Sequence, residues 1–222
     1  MMRIALVVLG AYLLGSVSGS VLLSRRVYGQ DVRALGSGNA GATNMARCFG
    51  MKAGLGVLAL DVIKTVLACV GGRALLGETG FCLAGLACGV GHCRPVFFRF
   101  SGGKGGSVGA AVALMLGWRF CLPCMVCFFL LFALTKIVSV CSMGSAVLMP
   151  ILALLEGLPT TEVLLTAGVA ALVLVRHRQN LRRLLRGREP RFRPAKKARP
   201  CGRKRSGGKK KVLAHSSNMK DE

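Results

Sequence analysis

Acid is scarce in this chain, and histidine and tryptophan are scarcer still. Only 8 of 222 residues are Asp or Glu against 31 Lys or Arg, which leaves a formal charge of +23; His occurs three times and Trp once. Ten cysteines are present, but the densest run, Cys121, Cys124 and Cys127, has no His and no fourth Cys at cluster-forming spacing. A metal or iron–sulfur centre is excluded there, and cysteine reads as a small apolar residue. No metal and no cofactor are expected. Aromatic residues are few and are not interleaved with the basic ones, so the charge does not describe a nucleic-acid surface.

What is abundant is apolar. The hydrophobic share is 53% and the mean hydropathy +0.56, high for a soluble domain. A membrane-spanning helix needs roughly 20 apolar residues, and the sequence offers seven stretches: 2–24, 53–72, 81–91, 105–118, 120–135, 140–155 and 163–175. The third and fourth are short, which leaves six as the alternative count. Lys and Arg in short loops set the orientation. Arg25, Arg26, Arg33, Arg47 and Lys52 follow the first stretch, Arg94, Arg99 and Lys104 the third, and Lys136 the fifth. The even loops hold little beyond Arg73, Glu78, Arg119, Glu156 and Glu162. The odd loops therefore face the cytoplasm, with the N-terminus outside and the C-terminus inside. A cleaved signal peptide is the alternative for the first run, because Arg3 precedes it and residues 16–20 are small; Arg25 and Arg26 directly after it suit a retained anchor.

From Arg182 onward there are sixteen Lys or Arg and three Asp or Glu, so this segment carries +13 of the total. Residues 1–189 read as the membrane domain, and residues 190–222 as a basic, disordered cytoplasmic tail suited to an anionic lipid surface.

Four polar islands, each after an odd-numbered stretch, emerge on that one side. Gly36 to Arg47 contains G-x-G-x-x-G, but without a preceding strand or a βαβ unit it is no dinucleotide site. Gly38 and its neighbouring glycines let backbone N–H groups converge on an anion, Ser37, Asn39, Thr43 and Asn44 add neutral donors, and Arg47 can bind two oxygens. An ordinary turn-rich loop is the plain alternative. Gly91 to Ser107 holds His92 and the run Gly102-Gly103-Lys104-Gly105 at the start of an apolar helix, a phosphate cradle with Lys104 as its charge. The spacing and the missing Ser or Thr exclude a nucleotide P-loop. Ser139 and Ser142 share a helix face, as do His177 and Asn180. Within the second stretch, Asp61 and Lys64 stand three apart and can pair, which makes them functional candidates or a structural ion pair.

Taken in order, GSGNAGATNMARCFG, LDVIK, GHCRPVFFRFSGGKG, KIVSVCS and HRQNLRRLLRGRE resemble the motifs of the bacterial acyl-phosphate:glycerol-3-phosphate acyltransferase family, collinearly from the first stretch to about Glu189. The resemblance implies an all-α, seven-span inner-membrane enzyme. It would move a fatty acyl group from acyl phosphate to the sn-1 hydroxyl of glycerol 3-phosphate, giving lysophosphatidic acid and phosphate. Gly106-Ser107 stand where that family more often has Val-Ala, Thr65 replaces a common Gly, and the basic tail is longer than usual. On this reading His177, Lys104, Arg47 and Asn180 carry the chemistry. Ser37, Gly38, Asn39, Thr43, Asn44, Asp61, Lys64, His92, Gly102, Gly103, Gly105, Ser139 and Ser142 bind substrate. The partners are acyl phosphate, glycerol 3-phosphate and membrane lipid, with no nucleic acid and no obligate protein partner. The hydroxyl proton goes to His177, to His92 or to a substrate phosphate oxygen. A transporter for a phosphorylated metabolite is the non-enzyme rival, and it requires polar groups at the midplane and on both faces.

Overall fold

The computed structural model describes residues 1–195, and within them the fold is all-helical. The helices are α1 (Met2–Ser16), α2 (Gly19–Tyr28), α3 (Ala42–Phe49), α4 (Met51–Cys93), α5 (Gly106–Met115), α6 (Trp118–Thr135), α7 (Val138–Leu155), α8 (Thr160–Arg176) and α9 (Arg178–Leu185). Among the described residues, four helical segments are long and apolar enough to cross a membrane, namely α1 with α2, α4 with the turn up to Phe98, α6 and α7, or five if the bent pair α8 and α9 counts as one span. Most of the basic tail lies outside the described residues.

The first apolar run is not one helix. It breaks at Val17, which is extended, and restarts where the Ser18 side chain accepts from the Val21 N–H. Such a break exposes carbonyls that lipid cannot satisfy. Lys64 satisfies two of them, its Nζ donating to the carbonyls of Gly15 at 3.0 Å and Val17 at 2.8 Å.

The second and third predicted stretches join in α4, which turns back on itself at Leu76 and Gly77, the latter at φ 60°. Its two arms run antiparallel. Gly72 meets Gly80, a Cβ built on Gly85 would lie 3.4 Å from the Cys69 sulfur, and Cys88 Sγ is 3.7 Å from Thr65 Oγ1. A Cβ at Gly72 would come within 2.7 Å of Ala84 Cβ, so glycine permits the close approach. The hairpin brings His92, at the end of one arm, back to Asp61 and Lys64 on the other.

Two cores hold the site. Val108, Val112, Phe120, Met149, Val169 and Val173 join α5 through α8. Val21, Val32, Met45, Phe49 and Val57 root α3 and its preceding loop, with Tyr28 stacked on Phe49 at 4.2 Å. The first island, read as loop as far as Arg47, is helical from Ala42 onward.

After α9 the chain crosses back over the bundle. The Phe192 N–H donates to the Lys136 carbonyl at 2.7 Å and the Ala195 N–H to that of Ala46 at 3.1 Å. The opening residues of the predicted tail are thus hydrogen-bonded to the helical body.

Candidate active site

A cavity of about 480 Å³ opens where α3, α5, α7 and the α8–α9 bend meet. Its head is polar and includes Ser37, Asn39, Thr43, Arg47, Lys104 and Asn180. Its arm is apolar and runs between α5, α6 and α7 past Ala110, Ala113, Phe128, Ala146 and Met149. Leu114, Met125 and Phe129 line this arm yet are about half exposed, so the arm opens sideways to the outer surface of the bundle.

Two helices point uncapped N-termini at the head. Neither α3 nor α5 has a side-chain cap, and Ala42, Thr43, Gly106 and Ser107 from their first turns all line the cavity. Free N–H groups and the positive end of each dipole suit an anion there.

The charged groups are organised around Glu189. Its side chain is only 3% exposed, and it accepts from Arg183 Nε at 2.7 Å, from Ser139 Oγ at 2.8 Å, and from Asn180 Nδ2. Burial raises its pKa, but these donors outweigh burial and hold the carboxyl below its ordinary value. Because Asn180 turns its amide N–H toward Glu189, its Oδ1 is left to accept from Lys104 Nζ. Burial lowers the Lys104 pKa to about 8, and burial likewise lowers that of Arg47.

His177 sits at the 57° bend between α8 and α9. Its Nδ1 is 2.8 Å from the Val173 carbonyl, which can only accept, so the ring proton is on Nδ1 and Nε2 carries the lone pair. Burial, with Lys104 adding to it, pushes its pKa down to about 4 and keeps the ring neutral.

Ser37, Asn39, Thr43, Asn44, Arg47, His92, Lys104, Ser139, Ser142, His177 and Asn180 all line this one cavity. Asn44 lines it while locked into its own loop. Its Nδ2 donates to the carbonyls of Val32, Leu35 and Asn39, each at 3.0 Å, and its Oδ1 accepts from the Ser37 N–H at 2.9 Å.

Gly38, Gly102, Gly103, Gly105, Asp61 and Lys64 stand outside the lining. Gly38, at φ 72°, turns the loop. Gly103 spends its N–H on the His92 carbonyl at 3.0 Å, and a Cβ there would fall on the His92 ring. Gly102 packs as closely on the His92 carbonyl and Pro95. Arg176 holds the carbonyls of these two glycines at 3.1 and 3.4 Å, which fixes the loop that carries Lys104. Gly105, at φ 85°, lets the chain enter α5. Asp61 and Lys64 pair at 3.0 Å behind the site, with His92 Nδ1 3.4 Å from the carboxylate. Lys64 is occupied by the α1–α2 break, and Asp61 Oδ2 accepts from Ser107 Oγ at 3.0 Å.

Three polar members escaped sequence reasoning: Glu189, Ser107 and Ser145. Glu189 was visible as a lone acid inside an arginine run, and that anomaly was its signal. Ser107 gave none beyond its place at a helix start.

The model of the glycerol-3-phosphate acyltransferase family matches residues 5–187. The glycerol-3-phosphate acyltransferase of Jannaschia sp. (strain CCS1) is 39% identical over 189 residues, covering 85% of this chain and 93% of that protein. That of Anaeromyxobacter sp. (strain Fw109-5) is 41% identical over 192 residues, covering 84% and 95%. The crystal structure of PlsY, an integral membrane glycerol 3-phosphate acyltransferase, in its glycerol 3-phosphate form superposes with a TM-score of 0.81 at 33% identity, covering 86% of this chain and 96% of that one. The lysophosphatidic acid form gives 0.77 at 31% identity, covering 86% and 95%.

Proposed function

This chain belongs to the glycerol-3-phosphate acyltransferase family, an integral membrane family, and from that membership we propose that it moves a fatty acyl group from acyl phosphate to the sn-1 hydroxyl of glycerol 3-phosphate. The products are lysophosphatidic acid and phosphate. The observation that carries the reading is the two-part cavity: a cationic head with two uncapped helix ends, continuous with an apolar arm open to the side. Two phosphate-bearing substrates, one of them with an acyl tail, need both parts.

Acyl phosphate is an activated mixed anhydride. Attack by the hydroxyl oxygen on the acyl carbon forms the ester and releases phosphate, and alignment with charge neutralisation supplies the catalysis. Lys104 and Arg47 meet the phosphates, and Asn180 orients the Lys104 ammonium. His177 Nε2 faces the attacking hydroxyl as acceptor. With a pKa of about 4 it is a weak proton acceptor, and a phosphate monoester oxygen, with a second pKa of about 6, is the stronger destination for the proton.

The loop charges and the α4 hairpin support seven spans with the N-terminus outside and the site facing the cytoplasm, and the resemblance to the bacterial family supports an inner-membrane location. The membrane domain with its basic tail then needs lipid and the two substrates, and neither nucleic acid nor an obligate protein partner. Polar lining concentrated at one end of the cavity disfavours a transport path, which would continue across the midplane.

The direct test follows phosphate release from palmitoyl phosphate by the purified protein, with and without glycerol 3-phosphate. Matched formation of lysophosphatidic acid and phosphate is expected; failure to form lysophosphatidic acid overturns the reading.

A further inference from the structure

The head of the cavity is rich in donors and short of acceptors. Lys104, Arg47, Thr43 and the uncapped helix ends all suit phosphate oxygens, while the substrate's hydroxyl groups must themselves donate. Asn180 Oδ1 is taken by Lys104, and both oxygens of Glu189 are engaged. Asn39 Oδ1, without a hydrogen-bond partner among the described residues, is one acceptor in the head; among the hydroxyl and imidazole groups, an acceptor is fixed in direction where the group's own proton is committed elsewhere. His177 Nε2 is one such atom, since Nδ1–H is held by Val173.

Ser107 Oγ is another. Its proton goes to Asp61 Oδ2 at 3.0 Å, and among the described residues no other donor reaches that oxygen. Asp61 is 2% exposed and its other oxygen meets Lys64 at 3.0 Å, so the carboxylate is a fixed acceptor. No donor among the described residues takes the lone pairs of Ser107 Oγ, so they are free to serve the cavity that the residue lines. Ser145, whose proton goes to the Cys124 carbonyl at 3.1 Å, stands beside Ala146 in the apolar arm and away from the head; in the head the competing hydroxyl is Ser139, with its proton directed to Glu189 Oε1. That oxygen already receives Asn180, so the Ser139 hydroxyl is one of two donors and can turn away. Ser107 also lies in the first turn of α5, three residues after Lys104, beside an anion seat. The secondary hydroxyl of glycerol 3-phosphate is on the carbon next to the phosphate-bearing one, so its acceptor must lie beside such a seat.

We propose that Ser107 is a substrate-binding residue that accepts a hydrogen bond from the secondary hydroxyl of glycerol 3-phosphate, leaving His177 to face the primary one. This rests on the acyltransferase reading. It also gives a role to a position at which the sequence departs from the family pattern.

The test compares kcat/KM for glycerol 3-phosphate and for 3-hydroxypropyl phosphate, which lacks only the secondary hydroxyl, with palmitoyl phosphate as donor. The unmodified enzyme should prefer glycerol 3-phosphate about 5- to 10-fold, the weight of one neutral hydrogen bond. In Ser107→Ala the ratio should collapse toward one, and in Ser107→Thr, which keeps the hydroxyl, it should persist. The ratio does not depend on how much protein is folded. An unchanged ratio in Ser107→Ala, an equal fall with both substrates, or a collapse in Ser139→Ala instead overturns the assignment. Turnover of neither substrate by the unmodified enzyme overturns the acyltransferase reading itself.

Discussion

Lys104 is a cation kept charged against the grain of its surroundings. Burial lowers its pKa from 10.5 to about 8, so raising the pH removes its charge two to three units earlier than for a free lysine. If the charge is needed for phosphate, kcat/KM for glycerol 3-phosphate falls as pH rises through about 8. Lys104→Arg should move that limb beyond the measurable range, because a guanidinium stays charged; an unmoved limb would assign it to another group. His177 makes the opposite prediction. As an orienting acceptor it is neutral throughout the physiological range, so His177→Ala should lower kcat/KM about tenfold, equally from about pH 5 to pH 8. A loss of about 10² or more would make the imidazole the proton acceptor after all. Eleven of the residues singled out from sequence line the cavity, because a Lys, Arg, His or Asn at a membrane mouth has few structural reasons to be there. Lys64 shows the limit of that inference. A charge inside a span is expensive, but here the expense offsets a helix break, and nothing in LDVIK announces a break some 47 residues earlier.

Among the elements, the α4 hairpin does the most to assemble the site. Its turn was legible as the gap between stretches 53–72 and 81–91, where Arg73 and Glu78 interrupt the apolar run, and the structure breaks there at Leu76 and Gly77; the close approach of the two arms through Gly72 and Gly80 was not. By returning His92 to Asp61, it builds the floor on which Gly102 and Gly103 lie flat. Gly103→Ala should therefore act through sterics more than through lost flexibility. The added methyl meets an imidazole fixed by Asp61 and Lys64, so a destabilisation of about 1–3 kcal/mol is expected. Thermal unfolding in detergent should show it, together with a loss of activity as Lys104 is displaced. Unchanged melting and turnover would mean that His92 can move aside. The glycine loop was readable as a device for close approach. That its partner is a side chain of the same protein required the tertiary fold.

For the whole molecule, the return of the chain after α9 joins the site to the C-terminus. Glu189 is buried at the head, and Phe192 and Ala195 fasten the following residues to the α6–α7 junction and α3. A protein ending at residue 195 should retain acyl transfer, whereas one ending at residue 186 should lose most of it, because Asn180 and Ser139 lose their acceptor. Equal activity of the two would remove Glu189 from the account. The sequence offered a charge boundary near 190, and charge alone does not register a strap made of backbone hydrogen bonds. The sideways opening between α5 and α6 has its own bearing on how this catalyst should be measured. One reactant is counted per unit volume of water and the other per unit area of leaflet. Diluting the acyl donor with inert lipid at constant bulk concentration should therefore slow the enzyme, while adding water at a fixed glycerol 3-phosphate concentration should not.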